Sequence, residues 1–459
     1  MEQITKPHCG ARLDRLPDCR WHSSMFAIVA FGLLVCWSNA VGGLILAQLK
    51  ALGWTDNSTT ATFSAITTAG MFLGALVGGI IGDKTGRRNA FILYEAIHIA
   101  SMVVGAFSPN MDFLIACRFV MGVGLGALLV TLFAGFTEYM PGRNRGTWSS
   151  RVSFIGNWSY PLCSLIAMGL TPLISAEWNW RVQLLIPAIL SLIATALAWR
   201  YFPESPRWLE SRGRYQEAEK VMRSIEEGVI RQTGKPLPPV VIADDGKAPQ
   251  AVPYSALLTG VLLKRVILGS CVLIAMNVVQ YTLINWLPTI FMTQGINLKD
   301  SIVLNTMSMF GAPFGIFIAM LVMDKIPRKT MGVGLLILIA VLGYIYSLQT
   351  SMLLITLIGF FLITFVYMYV CYASAVYVPE IWPTEAKLRG SGLANAVGRI
   401  SGIAAPYAVA VLLSSYGVTG VFILLGAVSI VVAIAIATIG IETKGVSVES
   451  LGIDAVTSK

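Results

Sequence analysis

Apolar runs long enough to cross a lipid bilayer recur along almost the whole chain. Twelve of them fall at 25–47, 62–82, 90–108, 112–134, 150–172, 182–202, 265–288, 302–323, 331–349, 352–378, 391–414 and 418–440. A helix needs roughly 20 mostly apolar residues to cross the hydrocarbon core. Glycine and proline inside several runs suit membrane helices, where neighbouring groups re-satisfy the freed backbone. A β-barrel would instead show alternating segments of about ten residues, and the chain has no such pattern. The pattern predicts an all-α integral membrane protein with twelve transmembrane helices.

Six runs precede a polar stretch and six follow it. This divides the chain into an N-terminal tail (1–24), a first six-helix bundle (25–202), a central connection (203–264), a second six-helix bundle (265–440) and a C-terminal tail (441–459). Within the connection, residues 206–228 mix charges of both signs behind Pro206 and predict a surface helix. Pro236, Pro238, Pro239, Pro249 and Pro253 then mark a linker. The halves read as copies. Gly70, Gly74, Asp83, Lys84 and Arg87 recur, at an offset of 241, as Gly311, Gly315, Asp324, Lys325 and Arg328, and Arg88 recurs as Lys329. A looser pairing sets Glu138, Pro141, Arg145 and Gly146 against Glu380, Pro383, Arg389 and Gly390. A repeated six-helix unit suits a carrier whose solute site forms between two lobes.

Composition agrees. Hydrophobic residues make up 56% and charged residues 12%, against about 25% charged in soluble chains, so much of the surface faces lipid. The net charge of +9 is placed for membrane topology, not for nucleic acid. With a cytoplasmic amino terminus, the external connections carry only Lys50, Arg181 and Lys299 of the 33 basic residues. The positive-inside rule then puts both termini in the cytoplasm. Short external loops suit a bacterial inner membrane. Seven cysteines, an odd number set mostly inside apolar runs, predict no disulfide framework. His8, Cys9, Cys19 and His22 fit no standard metal spacing. The absence of a phosphate-binding loop and of H-E-x-x-H speaks against an ATP-driven pump or a metalloenzyme. No metal or cofactor is expected.

Four motifs stand in order: Gly82-Asp83-Lys84-Thr85-Gly86-Arg87-Arg88 after span two, Arg118-x3-Gly122-x-Gly124-x-Gly126 in span four, Trp180-Arg181 before span six, and Pro203-Glu204-Ser205-Pro206-Arg207-Trp208-Leu209 after it. On these the chain resembles the major facilitator superfamily, in its sugar-porter and metabolite–proton symporter branch, over nearly its whole length. The resemblance implies two pseudo-repeated six-helix bundles and secondary active transport of a small polar metabolite, sugar-like or carboxylated, by alternating access and driven by a proton gradient. An uncoupled exchanger or uniporter, or a transporter-like solute sensor, is the alternative. By the same resemblance Asp83, Arg87, Arg88, Asp324 and Arg328 latch the cytoplasmic side, joined by Glu138, Arg145, Glu380 and Arg389. Span one lacks the acid common in sugar porters and reads Cys36-Trp37-Ser38-Asn39. Span seven reads Asn277-Val278-Val279-Gln280-Tyr281, and span eleven carries Gly398-Arg399-x-x-Gly402. Both look more like the organic-acid members.

The charges inside spans carry the candidate chemistry, because an ion in hydrocarbon faces a cavity or a partner. Arg118 is either a coupling or solute-binding group or an arginine bonded to a neighbour's carbonyls. Arg399 is either a carboxylate anchor or a snorkelling side chain. Glu95 and His98, at i and i+3, read first as an interfacial pair near the start of span three, with a proton relay as the alternative. Asn39, Gln280, Asn285, Trp286 and Asn305 offer polar groups to a solute or to neighbouring helices. Gly70, Gly74, Gly78 and Gly82 form a stripe for close helix packing. The expected partners are the solute and the bilayer, with a single chain as the working unit.

Overall fold

In lipid every backbone N–H and C=O must be paired within its own segment, so the apolar runs become helices. The computed structural model describes residues 7–17, 19–33, 36–140, 145–240, 253–383 and 386–444, without the side chains at 20, 133–138, 145–147, 149, 150 and 388. Ten helical stretches among the described residues are long and apolar enough to cross a membrane. One of these, Arg389–Ile439, runs for 51 residues and holds two spans, separated at Gly417, where φ is 64° and the backbone leaves the helix. The fifth predicted run is two shorter helices, Arg145–Asn157 and Ser159–Leu170. Twelve spans result. They are span one (Arg20–Leu33 and Trp37–Ala51), span two (Asn57–Thr85), span three (Arg87–Ala106), span four (Met111–Tyr139), the split span five, and span six (Ala176–Tyr201). The second half continues with span seven (Gly260–Thr293), span eight (Leu298–Met309 and Gly311–Val322), span nine (Arg328–Ser347), span ten (Met352–Val370, continuing as a π-helical stretch, Cys371–Tyr377), and spans eleven and twelve within Lys387–Ile439.

Two compact units emerge from the packing. The first contains residues 1–39, 70–159 and 184–246; the second contains 40–69, 160–183 and 247–459. Boundaries fall inside spans one, two, five and six. In the second unit, segments from the first half of the chain therefore pack with the second half. A Cβ on Gly43 would lie 2.5 Å from the Ile284 carbonyl. Asn57 Nδ2 donates to Ser414 Oγ at 2.9 Å and Asn305 Nδ2 to Ser164 Oγ at 3.0 Å.

The internal repeat is physical. A Cβ on Gly70 would strike the carbonyl of Phe119, and one on Gly74 that of Val123. In the second half Gly311 and Gly315 meet Phe360 and Thr364 in the same way. Those partners are again 241 residues apart. Glycine is required here because backbone, not a movable side chain, fills the space.

The polar segments also fold. The surface helix predicted over 206–228 is two helices, Pro206–Ser211 and Tyr215–Thr233, because Gly213 between them takes φ +71°. Tyr215–Thr233 buries Ala218, Met222, Ile225 and Val229, one amphipathic face. Against it lies a short helix of the N-terminal tail, Cys9–Asp14, whose Cys9 and Leu13 join the same apolar cluster together with Leu16 just beyond the helix. Charges close the contact. Arg12 pairs with Glu219 and, at 2.7 Å, with Glu226; Arg15 reaches Glu226 at 2.8 Å; Arg207 reaches Asp14 at 3.0 Å.

Two predictions follow from this packing. Gly74→Val should destabilise the protein by about 3 kcal/mol or more, as overpacking against a fixed backbone does. Gly79→Val, a position with open space around it, should leave thermal unfolding in detergent nearly unchanged. The tail contact should depend on pH. The Arg12 guanidinium, followed by Arg223, holds Glu219 below the usual carboxylate range. Burial would raise Glu226, but hydrogen bonds from Arg12 and Arg15 outweigh it and hold it low. Acids depressed in the docked state stabilise it above their ordinary pKa of about 4.3, and the effect is lost as pH falls through the depressed values. Protection from hydrogen exchange at residues 9–15 of the full chain, relative to the unfolded chain at the same pH, should therefore be high at neutral pH and low in acid, and low at both in Arg12→Ala.

Candidate functional site

Two turns, one per half, share one construction. After span two, Gly86 takes φ +97°, and a Cβ there would collide with the Glu204 carboxylate. Glu204 Oε1 accepts the backbone N–H groups of Arg87 at 2.7 Å and Arg88 at 3.3 Å. A negative charge thus sits on the positive end of span three. Arg87 Nη1 donates to Asp83 at 2.7 Å, and Arg88 Nη2 to the Trp199 carbonyl at 2.5 Å. Trp208 Nε1 and Arg212 Nη2 both donate to the Asp83 carbonyl at 2.6 Å. In the second half Glu442 accepts the N–H groups of Arg328 at 2.8 Å and Lys329 at 3.1 Å, at the start of span nine. Partial burial would raise Glu442, but the backbone N–H groups of Arg328, Lys329 and Lys444 win and hold it below its ordinary range. Arg328 reaches Asp324 at 3.1 Å and Glu380 at 3.0 Å, and Thr443 Oγ1 donates to Glu380 at 2.6 Å. Arg389 lies over the Tyr254 ring at 5.2 Å. The side chains of Glu138 and Arg145 lie outside the described residues.

Glu204 and Glu442 were not among the latch residues drawn from the sequence, nor were Tyr139 and Tyr377. Tyr139 Oη donates to the Pro203 carbonyl at 2.6 Å, and Tyr377 Oη to the Ile441 carbonyl at 3.0 Å. One spacing separates Tyr139 from Tyr377, Pro203 from Ile441 and Glu204 from Glu442. That shared spacing is the signal that would have found them; it differs from the 241 of the glycine repeat.

In the first unit Arg118 is buried and donates from Nη1 to the Ser38 carbonyl at 2.8 Å. The hydroxyl of the same Ser38 meets His98 Nε2 at 2.9 Å. His98 Nδ1 faces Ser191 Oγ at 3.3 Å and Glu95 Oε2 at 3.7 Å. Glu95, His98 and Ser38 are each 0% exposed. Glu95 and His98, read from the sequence as an interfacial pair, are both enclosed within the protein. Span three starts at Arg87, earlier than hydropathy suggests, so Glu95 lies about 12 Å along it at 1.5 Å per residue. Asn39 is also buried.

In the second unit, span seven carries the polar groups. Arg399 Nη1 donates to Tyr281 Oη at 3.3 Å, and no carboxylate pairs with Arg399 among the described residues. Asn285 and Trp286 are buried, and Gln280 is half-buried. Thr282, Trp286 and Thr289 share one helical face at i, i+4 and i+7. Their side-chain polar atoms are buried with no hydrogen-bond partner. Buried polar atoms without partners are rare in folded proteins, and three of them lie along this one face. Asn305 bonds Ser164 through Nδ2, while its Oδ1 is also unbonded.

A family model described as the Major Facilitator Superfamily matches residues 26–406. The chain is 99% identical, over 100% of both sequences, to YdjK of Escherichia coli (strain K12), a candidate metabolite transport protein. It is 44% identical to the inner membrane metabolite transport protein YdjE of the same strain, over 98% of this chain and 99% of that one. Among solved structures it resembles the xylose transporter XylE from E. coli in a partially occluded inward-open conformation. The TM-score is 0.73 at 18% identity, over 93% of this chain and 100% of that one. At that identity the likeness speaks for the fold.

The helix-end carboxylates give a direct prediction. Glu204→Gln or Glu442→Gln should lower stability by about 0.3–1 kcal/mol through the lost charge at a helix start. The alanine variants, which also leave N–H groups bare, should lose about 0.5–2 kcal/mol. Thermal unfolding of the purified variants checks both, and equal melting of all four with wild type would refute the capping role.

Proposed function

The chain belongs to the Major Facilitator Superfamily and is a multi-pass membrane metabolite transporter; from that premise we propose that it carries a small carboxylate with further hydrogen-bonding groups, coupled to protons, by alternating access. The observation that carries the substrate class is Arg399. A guanidinium stays charged in proteins, and placing it within a span costs about 2.5–3.5 kcal/mol on insertion scales. Its bond to the neutral Tyr281 hydroxyl leaves that charge to be matched. A carboxylate would match it with two parallel hydrogen bonds. Thr282, Trp286 and Thr289 ask for acceptors and donors elsewhere on the solute, as a hydroxylated or heteroaromatic acid would supply.

Alternating access is supported by how segments from the two halves of the chain meet. Asn57–Ser414, Asn305–Ser164 and the seat of Gly43 on span seven are polar or small-residue contacts, which separate at lower cost than an apolar core. The latch roles of Asp83, Arg87, Arg88, Asp324, Arg328, Glu380 and Arg389 belong to the same proposal. So do cytoplasmic termini in a bacterial inner membrane and a single chain as the working unit.

The test is a thermal-shift screen of the purified protein against labelled metabolites, nicotinate and xylose among them. Flux in proteoliposomes follows, with and without a pH gradient. Uptake of at least one acid should rise with the gradient, and Arg399→Gln should reduce it tenfold or more. Acid uptake untouched by Arg399→Gln, or uptake of neutral sugars alone, would refute the anionic reading. Flux indifferent to the gradient would mark an exchanger or uniporter, and binding without flux a sensor.

A further inference from the structure

We propose that Glu95 on span three is the group that takes up and releases the coupled proton, in partnership with His98, and that Ser38 links this pair to Arg118. The assignment rests on the proton-coupled reading above and names the residues that would perform it. Among the described residues Glu95 is the one buried carboxylate. Both of its oxygens are buried without a hydrogen-bond partner. An ionised carboxylate in that position loses its hydration with nothing in exchange. The one group within ion-pair distance is His98, its Nδ1 at 3.7 Å from Glu95 Oε2. That spacing is too long for a hydrogen bond and short enough to feel charge. The pair can therefore hold one proton as carboxylic acid with neutral imidazole, or as carboxylate with imidazolium. In the uptake step a hydronium O–H bond breaks and a carboxyl O–H bond forms; release to water on the other side reverses it, with no electron transfer.

The surroundings are assembled from several elements. Span one brings Ser38 Oγ to His98 Nε2 and span six brings Ser191 Oγ to Nδ1, so both ring nitrogens already meet hydroxyls. Span four approaches so closely that a Cβ on Gly124 would lie 3.1 Å from His98. Its charged contribution is Arg118, on the Ser38 carbonyl. Tyr94, beside Glu95 in sequence, turns its hydroxyl to the Gly78 carbonyl of span two at 2.8 Å. The ionisable and charged groups around Glu95 are thus His98, Tyr94 and Arg118. A hydroxyl can donate to a neutral ring nitrogen but must accept from a protonated one. A proton that moves onto or off His98 therefore reorients the Ser38 or Ser191 hydroxyl, and Ser38 is the residue whose carbonyl Arg118 holds.

A structural Glu–His pair would predict only a loss of stability on mutation. The proposal predicts more. In pH-difference infrared spectra of the purified full chain, wild type should show the carbonyl stretch of a buried carboxylic acid that appears and disappears with pH, and Glu95→Gln should lack that band. In proteoliposomes, with an acid identified by the screen, Glu95→Gln should bring the gradient-driven accumulation ratio down to about one, while solute exchange falls far less. Accumulation by Glu95→Gln equal to wild type would overturn the assignment and leave the coupling reading standing. A wild type indifferent to the gradient would overturn both. If Glu95→Gln does not fold, Glu95→Asp decides: a displaced pH midpoint of exchange supports the assignment, and an unchanged profile overturns it.

Discussion

A polar group inside a membrane protein has no water to fall back on. That single constraint shapes this molecule at two scales. Along the backbone it leaves only helices and closed barrels as ways to cross, and the apolar runs among the described residues take helices. At side chains it makes each unpaired buried atom costly, and hence informative. Glu95, Trp286 and Thr289 stand out because their neighbours do not satisfy them. Arg399 stands out because its hydrogen bond is to a hydroxyl and not to a carboxylate.

The same constraint explains how the two turns are built. A span that starts at Arg87 or at Arg328 exposes N–H groups at its first turn. In both cases a carboxylate from far along the chain, Glu204 or Glu442, closes them. The arginine side chains then pair with Asp83 or with Asp324 and Glu380. Each turn is therefore tied to the end of its own half. Each turn carries charge on an exposed side chain, Asp83 at 65% and Asp324 at 90%, where pairing is worth little and is readily broken. Its firmer part is the capped helix start.

Much of the architecture was legible beforehand. Hydropathy located the spans, and an offset of 241 located the glycine stripe whose partners, Phe119 and Phe360, proved to keep the same offset. The Asp83–Arg87 and Asp324–Arg328 pairs are four residues apart, one helical turn, and such pairs are visible in any sequence. Helix breaks were unevenly legible: Gly213 divides a stretch that reads as one surface helix, whereas the break at Gly417 falls in the gap between the predicted runs 391–414 and 418–440. A glycine's φ is set by what surrounds it as much as by its own freedom.

By itself, the sequence determined the solvent of this protein, the number of its crossings and its duplication. These follow from the length, composition and period of local runs, which need no partner to be read. Only the tertiary structure decided which polar groups are satisfied. Glu95 and His98 looked interfacial by their distance from the start of an apolar run; Ser38 and Ser191, brought in from spans one and six, enclose them. Arg118 read either as a solute or coupling group or as an arginine on a neighbour's carbonyl; the structure supplies such a carbonyl, that of Ser38. Satisfaction of a buried group depends on atoms that are remote in sequence and within about 3 Å in space, and local pattern holds no record of that.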